Sequence, residues 1–438
     1  MSKISRRDFV KLMGAGGALS AFGLTGCETA PTKASSTTPA KAAPRVVVVG
    51  GGFGGATCAK YLRLYEPELN ITLVEQNANY VTCPGSNWML GGLRKIEDLT
   101  QNYNALRDKH GVNVVIDRVV GVDAGKRLVA LASGKTLAYD RLVMSPGIDF
   151  RWGEIEGYDE GASQLMPHAW KAGPQTVLLQ KQLHAMPDGG TFIMAAPPMP
   201  FRCPPGPPER ASMVAHYFKT HKPKSKILIL DAKDNFSKQA LFMQAWDQLY
   251  PGMIEWAPAT GGGKVVRVDP KTGTVYTANG SPEKGDVINI IPAQRASTLT
   301  ADAGLVNDSG WCPVNHSTFE STRVPNVHVI GDSSNAGVVP KSGHTANNIA
   351  KMTAAAIVSL FRGVPPPQPS HVNTCYSLAS PDYGISIAAV YRLGEDGQLQ
   401  GVKGAGGLSP ENASAQQRSQ EAGYAAAWHK GIVADSFG

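Results

Sequence analysis

Short apolar runs alternate with helix-like segments along most of the chain, and the first such unit is the clearest. An apolar run, RVVVV, precedes Gly50-x-Gly52-x-x-Gly55, a helix is predicted over 56–64, and a second apolar run ends in Glu75. Glycines at this spacing let a pyrophosphate approach the start of the helix, and the acid can accept a hydrogen bond from a ribose hydroxyl. The pattern therefore predicts a dinucleotide-binding unit.

A second unit of the same order lacks the glycines that such a loop needs. A strand is predicted over 191–195 and a helix over 211–219, and the connecting loop, APPMPFRCPPGPPER, is rich in proline. Because proline removes N–H donors and fixes φ, pyrophosphate fits this loop poorly. Cys203 stands there instead and would meet the substrate. The loop predicts an oxidoreductase whose reductant is not a pyridine nucleotide.

Two downstream strand ends indicate which dinucleotide the first unit binds. The run VHVIGD ends in Gly331-Asp332, and Lys341 and an alanine-rich helix over 345–361 follow it. An acid at this position can reach a ribityl chain, and the positive end of the helix can stabilise a reduced flavin. A further strand, RLVMSPG, ends in Gly147 where the chain is predicted to leave the first domain. In this order the motifs favour FAD.

The chain of 438 residues, 42% hydrophobic, has enough core for two or three domains. The motif order predicts an α/β fold: two Rossmann-like dinucleotide-binding domains of the disulfide-reductase flavoprotein type plus a C-terminal α+β domain. The predicted segments are a leader and linker (1–43), a first FAD-binding segment (44–156), a second nucleotide-domain-like unit with Cys203 (157–293), a second FAD-binding segment (294–365) and a C-terminal domain with Cys375 (366–438).

The N-terminal segment predicts export. The run SRRDFVK resembles a twin-arginine signal, and the apolar stretch that follows is too short and too glycine-rich to span a membrane. Cys27 ends the run LTGC, which resembles a lipoprotein processing box, while AKA at 40–42 offers an ordinary cleavage site; both alternatives stay open. We expect a periplasmic protein. The formal net charge is +7, and residues 1–43 hold six basic against two acidic residues, so nothing indicates nucleic-acid binding.

The cysteines carry the predicted chemistry. No C-x-x-C or C-x-x-C-H occurs, so the sequence predicts no thioredoxin-type pair, no metal site and no covalent haem of its own. In an oxidising compartment two cysteines are expected to pair, and Cys203 and Cys375, both flanked by loop-forming residues, are the candidates. Cys58, within the first predicted helix, and Cys312 are interpreted as buried structural residues.

Several uncommon stretches are similar to the flavoprotein subunit of flavocytochrome c sulfide dehydrogenase, and the resemblance extends from residue 45 to the C-terminus. They include TCPGSN, PHAWKAG, PFRCPPGPPERAS, NDSGWCPV and NTCYS. The resemblance implies FAD held by a thioether to Cys83, a redox-active disulfide between Cys203 and Cys375 at the flavin, and a partner subunit with c-type haem. It also implies sulfide:cytochrome c oxidoreductase activity, and a disulfide is the natural electrophile for HS⁻.

Two roles are possible for each of three residues. Cys83 is either the flavin attachment or a buried thiol beside noncovalent FAD. Glu209 is either a general base, as the resemblance implies, or a carboxylate that interacts with the helix dipole. Lys341 either places positive charge by the flavin pyrimidine ring or is a surface lysine.

Two other functions compete with sulfide:cytochrome c oxidoreduction. A sulfide:quinone reductase would use similar flavin and cysteine chemistry, but it should have an amphipathic membrane-seating end, and residues 421–438 show no strong apolar stripe. An accessory flavoprotein that reactivates a sulfur-carrier protein by touching its thiols is the non-enzymatic alternative.

Overall fold

The computed structural model describes residues 42–438. The predicted export signal and Cys27 lie outside the described residues. The α-helices are α1 (Phe53–Tyr65), α2 (Ser86–Leu90), α3 (Ile96–Leu99), α4 (Asn104–Asp108), α5 (Pro174–Ala185), α6 (Gly206–His221), α7 (Gln239–Leu249), α8 (Thr298–Asp302), α9 (Gly343–Arg362) and α10 (Ala415–Phe437).

The first twelve strands are β1 (Arg45–Val49), β2 (Asn70–Glu75), β3 (Asn79–Val81), β4 (Thr100–Asn102), β5 (Asn113–Ile116), β6 (Val119–Asp123), β7 (Leu128–Leu131), β8 (Thr136–Ala138), β9 (Arg141–Met144), β10 (Ile148–Phe150), β11 (Thr191–Ala196) and β12 (Lys226–Asp231). The remaining strands are β13 (Ile254–Ala257), β14 (Val265–Asp269), β15 (Thr274–Thr277), β16 (Pro282–Lys284), β17 (Val287–Ile290), β18 (Gln294–Ala296), β19 (Cys312–Pro313), β20 (Val327–Val329), β21 (Ser334–Asn335), β22 (Ser370–Ser380), β23 (Tyr383–Leu393) and β24 (Leu399–Leu408).

The first glycine motif lies in a five-stranded parallel sheet of order β20-β9-β1-β2-β5. Four of the five β1 residues are buried, because α1 and α9 cover the sheet and pack on each other. A parallel sheet covered by helices needs apolar strands, which explains the continuous run of valines. Because β20 pairs with β9, the late Gly-Asp strand end joins the same sheet edge as the early glycine loop.

The Cys203 loop belongs to a second parallel sheet, of order β13-β12-β11-β17. The loop leaves the end of β11 and enters α6, whose first turn contains Pro207 and Pro208. Proline is tolerated there because the first N–H groups of a helix have no partner within the helix. The two parallel sheets confirm the predicted fold class.

The C-terminal region is a three-stranded antiparallel sheet of order β22-β23-β24 together with α10. Strand β22 packs against α6 and α9, and α10 packs against β23 and α1. This region therefore connects both parallel sheets. Antiparallel strands plus a helix agree with the predicted α+β class.

Several predicted elements occur with shifted ends, and one prediction is wrong. Helices α1 and α6 begin three and five residues before their predicted starts at 56 and 211, since glycine and proline fit a first helical turn. Cys375 is not flanked by loop structure: it lies in the middle of β22, opposite Ile387 of β23. Its polar neighbours Asn373 and Thr374 suggested a loop, but pairing with β23 overrides that local preference.

Among residues 42–438, no helix is both long and apolar enough to cross a bilayer. The same residues contain no group of three or more histidine, cysteine or acidic side chains placed to hold a metal ion.

Candidate functional site

The glycine loop between β1 and α1 is built for close approach of a ligand. A Cβ on Gly50 would overlap the Ser145 carbonyl oxygen, and Gly50 has φ +95°, which favours glycine. A Cβ on Gly55 would overlap the Gly50 carbonyl oxygen, so the last glycine lets α1 start directly against the loop. Gly52 is the residue before the first turn of α1. The first N–H groups of a helix have no acceptor within the helix, as pyrophosphate binding requires.

Glu75 closes the other side of this loop. Its Oε2 accepts a hydrogen bond from Gly51 N at 2.7 Å, and its Oε1 accepts from Asn77 N at 3.0 Å. The carboxylate is therefore held at the end of β2 beside the glycines, the position from which such an acid reaches a ribose. The structure brings Gly50, Gly52, Gly55 and Glu75 together.

Arg202, which the sequence analysis did not single out, links two predicted flavin-binding residues from distant parts of the chain. One terminal nitrogen of its guanidinium lies 3.0 Å from Cys83 Sγ, and the other lies 3.5 Å from Asp332 Oδ2. Burial acts to lower the pKa of Arg202, but the negative charges of Cys83 and Asp332 outweigh it, so the net shift is upward. Its position next to Cys203 in the loop was the signal that could have found it.

Gly147, Gly331 and Lys341 lie around the same strand ends. Gly147 and Gly331 have φ +77° and +67°, and Ser333 Oγ donates to the Gly147 carbonyl. Lys341 Nζ donates to the carbonyl oxygens of Asp332 (2.9 Å) and Ser334 (2.6 Å). Burial lowers the pKa of Lys341 to about 8. Its ammonium is thus engaged inside the protein, and its placement at a flavin ring stays a prediction.

Cys203 lies in a strained loop next to these groups. It has φ +58°, a left-handed conformation that costs a non-glycine residue about 1 kcal/mol. The conformation is held by Cys203 N donating to the Lys341 carbonyl (2.7 Å) and by Gly206 N donating to the Cys203 carbonyl (2.8 Å). Burial, and secondly the charge of Cys375, raise the pKa of the Cys203 thiol.

Cys375 reaches the same place from β22. Asn373 Nδ2 lies 3.5 Å from its Sγ, and Ser342, which follows Lys341, donates from Oγ to Asn373 Oδ1 at 2.6 Å. Two adjacent residues therefore link the two cysteines: the Lys341 carbonyl accepts from Cys203 N, and Ser342 contacts Asn373, which contacts the side chain of Cys375. All five cysteines among residues 42–438 are free thiols in the structure, so the Cys203–Cys375 disulfide stays a prediction.

Glu209 fastens the helix that follows Cys203 to the strand that carries Cys375. The carboxylate accepts from Leu378 N (3.0 Å), Trp88 Nε1 (3.1 Å) and Asn87 Nδ2 (2.9 Å). Burial raises its pKa. These contacts give Glu209 a positioning role beyond helix capping, and its role as a general base stays a prediction.

The acid of the second nucleotide position is already bound by the protein's own side chains. Asp231 ends β12, where an acid would bind the ribose of a second dinucleotide. Its Oδ1 lies 2.5 Å from Lys233 Nζ, and its Oδ2 accepts from Trp256 Nε1 at 3.2 Å. A nucleotide would have to displace both contacts and would still meet the proline-rich loop.

The residues present fit FAD at the first site. A Cβ at Gly50 or Gly55 would fill the cradle that the glycines form, and Glu75 faces it. Two buried donors beside Arg202, Trp170 Nε1 and Gln294 Nε2, have no hydrogen-bond partner among residues 42–438. Buried donors are rarely left unpaired, so these two nitrogens are suited to the acceptor atoms of a polar ring system.

Comparisons with protein families agree with this site. A family model for the central part of the sulfide dehydrogenase (flavocytochrome c) flavoprotein chain matches residues 176–292. A model for the flavin-binding part of flavocytochrome c sulphide dehydrogenase matches residues 367–437, and one for pyridine nucleotide-disulphide oxidoreductases matches residues 44–173.

Individual relatives cover different shares of the chain. The sulfide dehydrogenase (flavocytochrome c) flavoprotein chain of Chlorobaculum thiosulfatiphilum is 65% identical over 43 residues, 10% of this chain and 90% of the relative. A sulfide-quinone reductase of Aquifex aeolicus is 30% identical over 156 residues, 36% of this chain and only 35% of the relative. The solved structure of an Aquifex aeolicus sulfide:quinone oxidoreductase covers 90% of this chain and 92% of its own with a TM-score of 0.70 at 19% identity, which shows a shared fold.

Proposed function

The chain belongs to the family of flavoprotein chains of flavocytochrome c sulfide dehydrogenase, which are flavin-dependent oxidoreductases, and from this premise we propose that it oxidises sulfide through Cys203 and Cys375. The observation that carries the proposal is that Lys341 contacts the backbone of Cys203, while the adjacent Ser342 contacts Asn373, whose amide lies beside the Cys375 sulfur; both lie next to the strand end that carries Asp332. A redox-active pair at this position would stand between incoming sulfide and the flavin site. A c-type cytochrome subunit is the proposed electron acceptor.

The chain's own residues would hold FAD in a defined way. The start of α1 with Gly50, Gly52 and Gly55 would bind the pyrophosphate, and Glu75 would bind a ribose. Asp332 would bind the ribityl chain, and Cys83 would form the thioether. When bound, FAD supplies a two-electron acceptor that can deliver electrons singly to a haem.

The cysteine pair would perform the sulfur chemistry. HS⁻ attacks one sulfur of the disulfide: a new S–S bond forms, the old one breaks, and the products are one persulfide, which keeps the proton, and one thiolate. A second HS⁻ takes the outer sulfur as HSS⁻ and leaves a thiol. The thiolate and the thiol return to the disulfide by giving away two electrons and one proton. Oxidation of two HS⁻ to HSS⁻ therefore balances the two electrons that leave.

The proline-rich loop and the occupied Asp231 support an electron route other than a pyridine nucleotide. We propose no NAD(P) site in residues 42–438, since Lys233 and Trp256 already satisfy the acid that would bind its ribose.

For the leader, we propose export to the periplasm by the twin-arginine route, with either a lipid anchor at Cys27 or cleavage near 40–42. The mass of the mature protein distinguishes a lipidated N-terminus at Cys27 from an N-terminus produced by cleavage near 40–42.

The proposed function is tested with the flavin-loaded protein under anaerobic conditions. Sulfide is expected to bleach the flavin, and added c-type cytochrome is expected to become reduced. Cys203→Ser and Cys375→Ser should each lower the bleaching rate by about 100-fold or more while flavin stays bound, because neither can form the disulfide. Cys312→Ser, which changes a buried cysteine of β19, is the matched control.

Other results would contradict the proposal. Bleaching at the normal rate in either active-site variant would exclude the cysteine pair. Turnover with a quinone but not with cytochrome would support the sulfide:quinone reductase alternative, and turnover only with a sulfur-carrier protein would support the accessory role. The thioether would be contradicted if flavin dissociated from the denatured wild-type protein as readily as it dissociates from a denatured Cys83→Ala variant.

A further inference from the structure

Lys238 is a buried lysine next to the cysteine pair, and the reaction above gives it no role. It precedes α7 in a left-handed conformation, with φ +61°, and is 5% exposed. Its Nζ donates to the Cys375 carbonyl (2.7 Å), to Ser377 Oγ (3.0 Å) and to the Ile385 carbonyl (3.3 Å). These three hydrogen bonds hold the ammonium against β22 and β23, beside Cys375.

The positive charge of Lys238 has no carboxylate partner at ion-pair distance among the described residues. Its three acceptors are neutral, and a buried charge without a counter-charge is unfavourable. Burial lowers the pKa of Lys238 to about 8, while Cys375 first, and then Glu209, Cys203 and Glu421, act to raise it. Among these groups Cys375 acts most strongly on Lys238, and its backbone is already bound to the ammonium, so a negative charge on Cys375 would compensate that of Lys238.

The surroundings of the Cys375 sulfur also favour a thiolate. Asn373 Oδ1 accepts from Ser342 Oγ (2.6 Å) and Thr345 Oγ1 (3.2 Å) and lies 3.7 Å from Cys375 Sγ, while Asn373 Nδ2, at 3.5 Å, can donate to that sulfur. Ser342 caps α9, a helix of twenty residues whose positive end faces this position. Burial raises the pKa of Cys375; Lys238 first, and then Asn373 and Ser342, oppose that rise, while the charge of Glu209 adds to it.

Cys203 has weaker support for a thiolate. Burial, Cys375, Glu209 and Cys83 raise the pKa of its thiol, and Arg202, which opposes them, is already engaged by Cys83 and Asp332. In thiol–disulfide exchange the sulfur that better carries negative charge leaves, and the other sulfur receives the nucleophile. The two sulfurs of the pair are therefore not equivalent toward an incoming anion.

We infer that Lys238 is a positioning residue that directs HS⁻ to Cys203 by stabilising the negative charge that leaves on Cys375. The inference rests on the disulfide of the proposed function. In the step, the S–S bond between Cys203 and Cys375 breaks and a bond from Cys203 Sγ to the sulfide sulfur forms. The proton stays on the terminal sulfur, Cys375 leaves as a thiolate beside the ammonium, and no external oxidant takes part.

The first test maps the persulfide in the wild-type protein. Flavin-loaded protein receives one equivalent of sodium sulfide without oxygen, is alkylated at once, and is digested for mass spectrometry. The persulfide is expected on the Cys203 peptide. A persulfide on the Cys375 peptide overturns the role of Lys238 but leaves the proposed function intact, whereas the absence of both a disulfide before sulfide and a persulfide after it contradicts the proposed function itself.

The second test removes the charge. In Lys238→Met we expect flavin reduction by sulfide to slow by about 10- to 100-fold, because a charge-assisted contact is lost. The pKa of the Cys375 thiol, from the pH dependence of its alkylation by iodoacetamide in the reduced protein, should rise by about one pH unit or more. Lys238→Arg, which keeps the charge, should restore most of both properties.

Lys219 provides a control, because it is an exposed lysine whose Nζ also donates to a carbonyl, that of Leu249 (3.0 Å), at the end of α7. Lys219→Met should change neither the reduction rate nor the alkylation profile. An unchanged Cys375 pKa in a folded, flavin-loaded Lys238→Met protein would overturn the inference. Where that variant does not fold, the wild-type persulfide position decides the question alone.

Discussion

At the scale of single residues, backbone space at the glycine loop decides what the first nucleotide unit can hold. Neither Gly50 nor Gly55 has space for a methyl group. A Cβ on Gly50 would overlap the Ser145 carbonyl oxygen, and a Cβ on Gly55 would overlap the Gly50 carbonyl oxygen. These obstacles are backbone atoms, of the residue that follows β9 and of the loop itself, so they cannot rotate away as a side chain could. A substitution must therefore distort the start of α1.

Gly55→Ala should lose flavin binding. The added Cβ would overlap the Gly50 carbonyl oxygen, so the loop must open and α1 must shift away from the pyrophosphate position. We expect flavin content of the purified protein to fall at least about tenfold. Gly423→Ala is the control, since nothing lies within 4 Å of a Cβ there, and it should keep full flavin content. Normal flavin content in Gly55→Ala would show that this loop does not hold the cofactor.

At the scale of elements, α10 supports the glycine loop through a cluster of aromatic side chains. Phe437, in the last turn of α10, packs edge-on against Phe53 with ring centroids 5.7 Å apart and stacks on Tyr80 at 5.6 Å. Tyr103, whose hydroxyl donates to the Gly51 carbonyl at 3.1 Å, completes the cluster at 6.3 Å from Phe437. The end of the chain therefore buttresses residues that line the first nucleotide position.

Phe437→Ala should destabilise the protein by about 3 kcal/mol, because it opens a cavity among three aromatic rings. Flavin retention should fall together with stability, since the cluster contacts the loop. Urea unfolding and flavin content measure the two effects. Tyr424→Ala, on the same helix but 55% exposed, should change both very little. Equal effects of the two substitutions would mean that the aromatic cluster is not what anchors α10.

At the scale of the whole molecule, buried histidines make stability depend on pH. Burial lowers the pKa of His168 to about 3 and that of His371 to about 4. In the unfolded chain both should titrate near a pKa of about 6.5. Since the folded state binds fewer protons, stability is fully present above about pH 6.5 and is lost as the pH falls toward the folded values.

Urea unfolding at pH 7.5 and at pH 5 measures this loss. Each histidine contributes roughly 3 kcal/mol or more in full, and about 2 kcal/mol of that per histidine is expected to disappear by pH 5. His371→Gln should make the decrease with pH shallower, because it removes one of the titrating groups. His221→Gln, which changes an exposed histidine, is the control for the substitution itself. A free energy of unfolding that does not change between pH 7.5 and pH 5 would contradict the buried neutral state of His168 and His371.

Local signals explain which residues of the site could be predicted. The glycine spacing, the acid at the end of β2 and the Gly-Asp end of β20 each follow from short-range geometry, so Gly50, Glu75 and Asp332 were found in the sequence. Arg202 was missed because an arginine in a loop is usually exposed. Lys238 was missed because nothing around it in the sequence predicts a lysine that is 5% exposed.

The amino-acid sequence by itself determined the alternation of strands and helices, the first nucleotide loop and the replacement of the second by a cysteine loop, because steric and hydrogen-bonding rules act over a few residues. Only the tertiary structure decided that β22 carries Cys375 to Cys203, that Arg202 reaches both Cys83 and Asp332, and that Lys238 faces Cys375. These contacts join residues far apart in the chain, and their distances depend on how the two parallel sheets and the C-terminal sheet pack together.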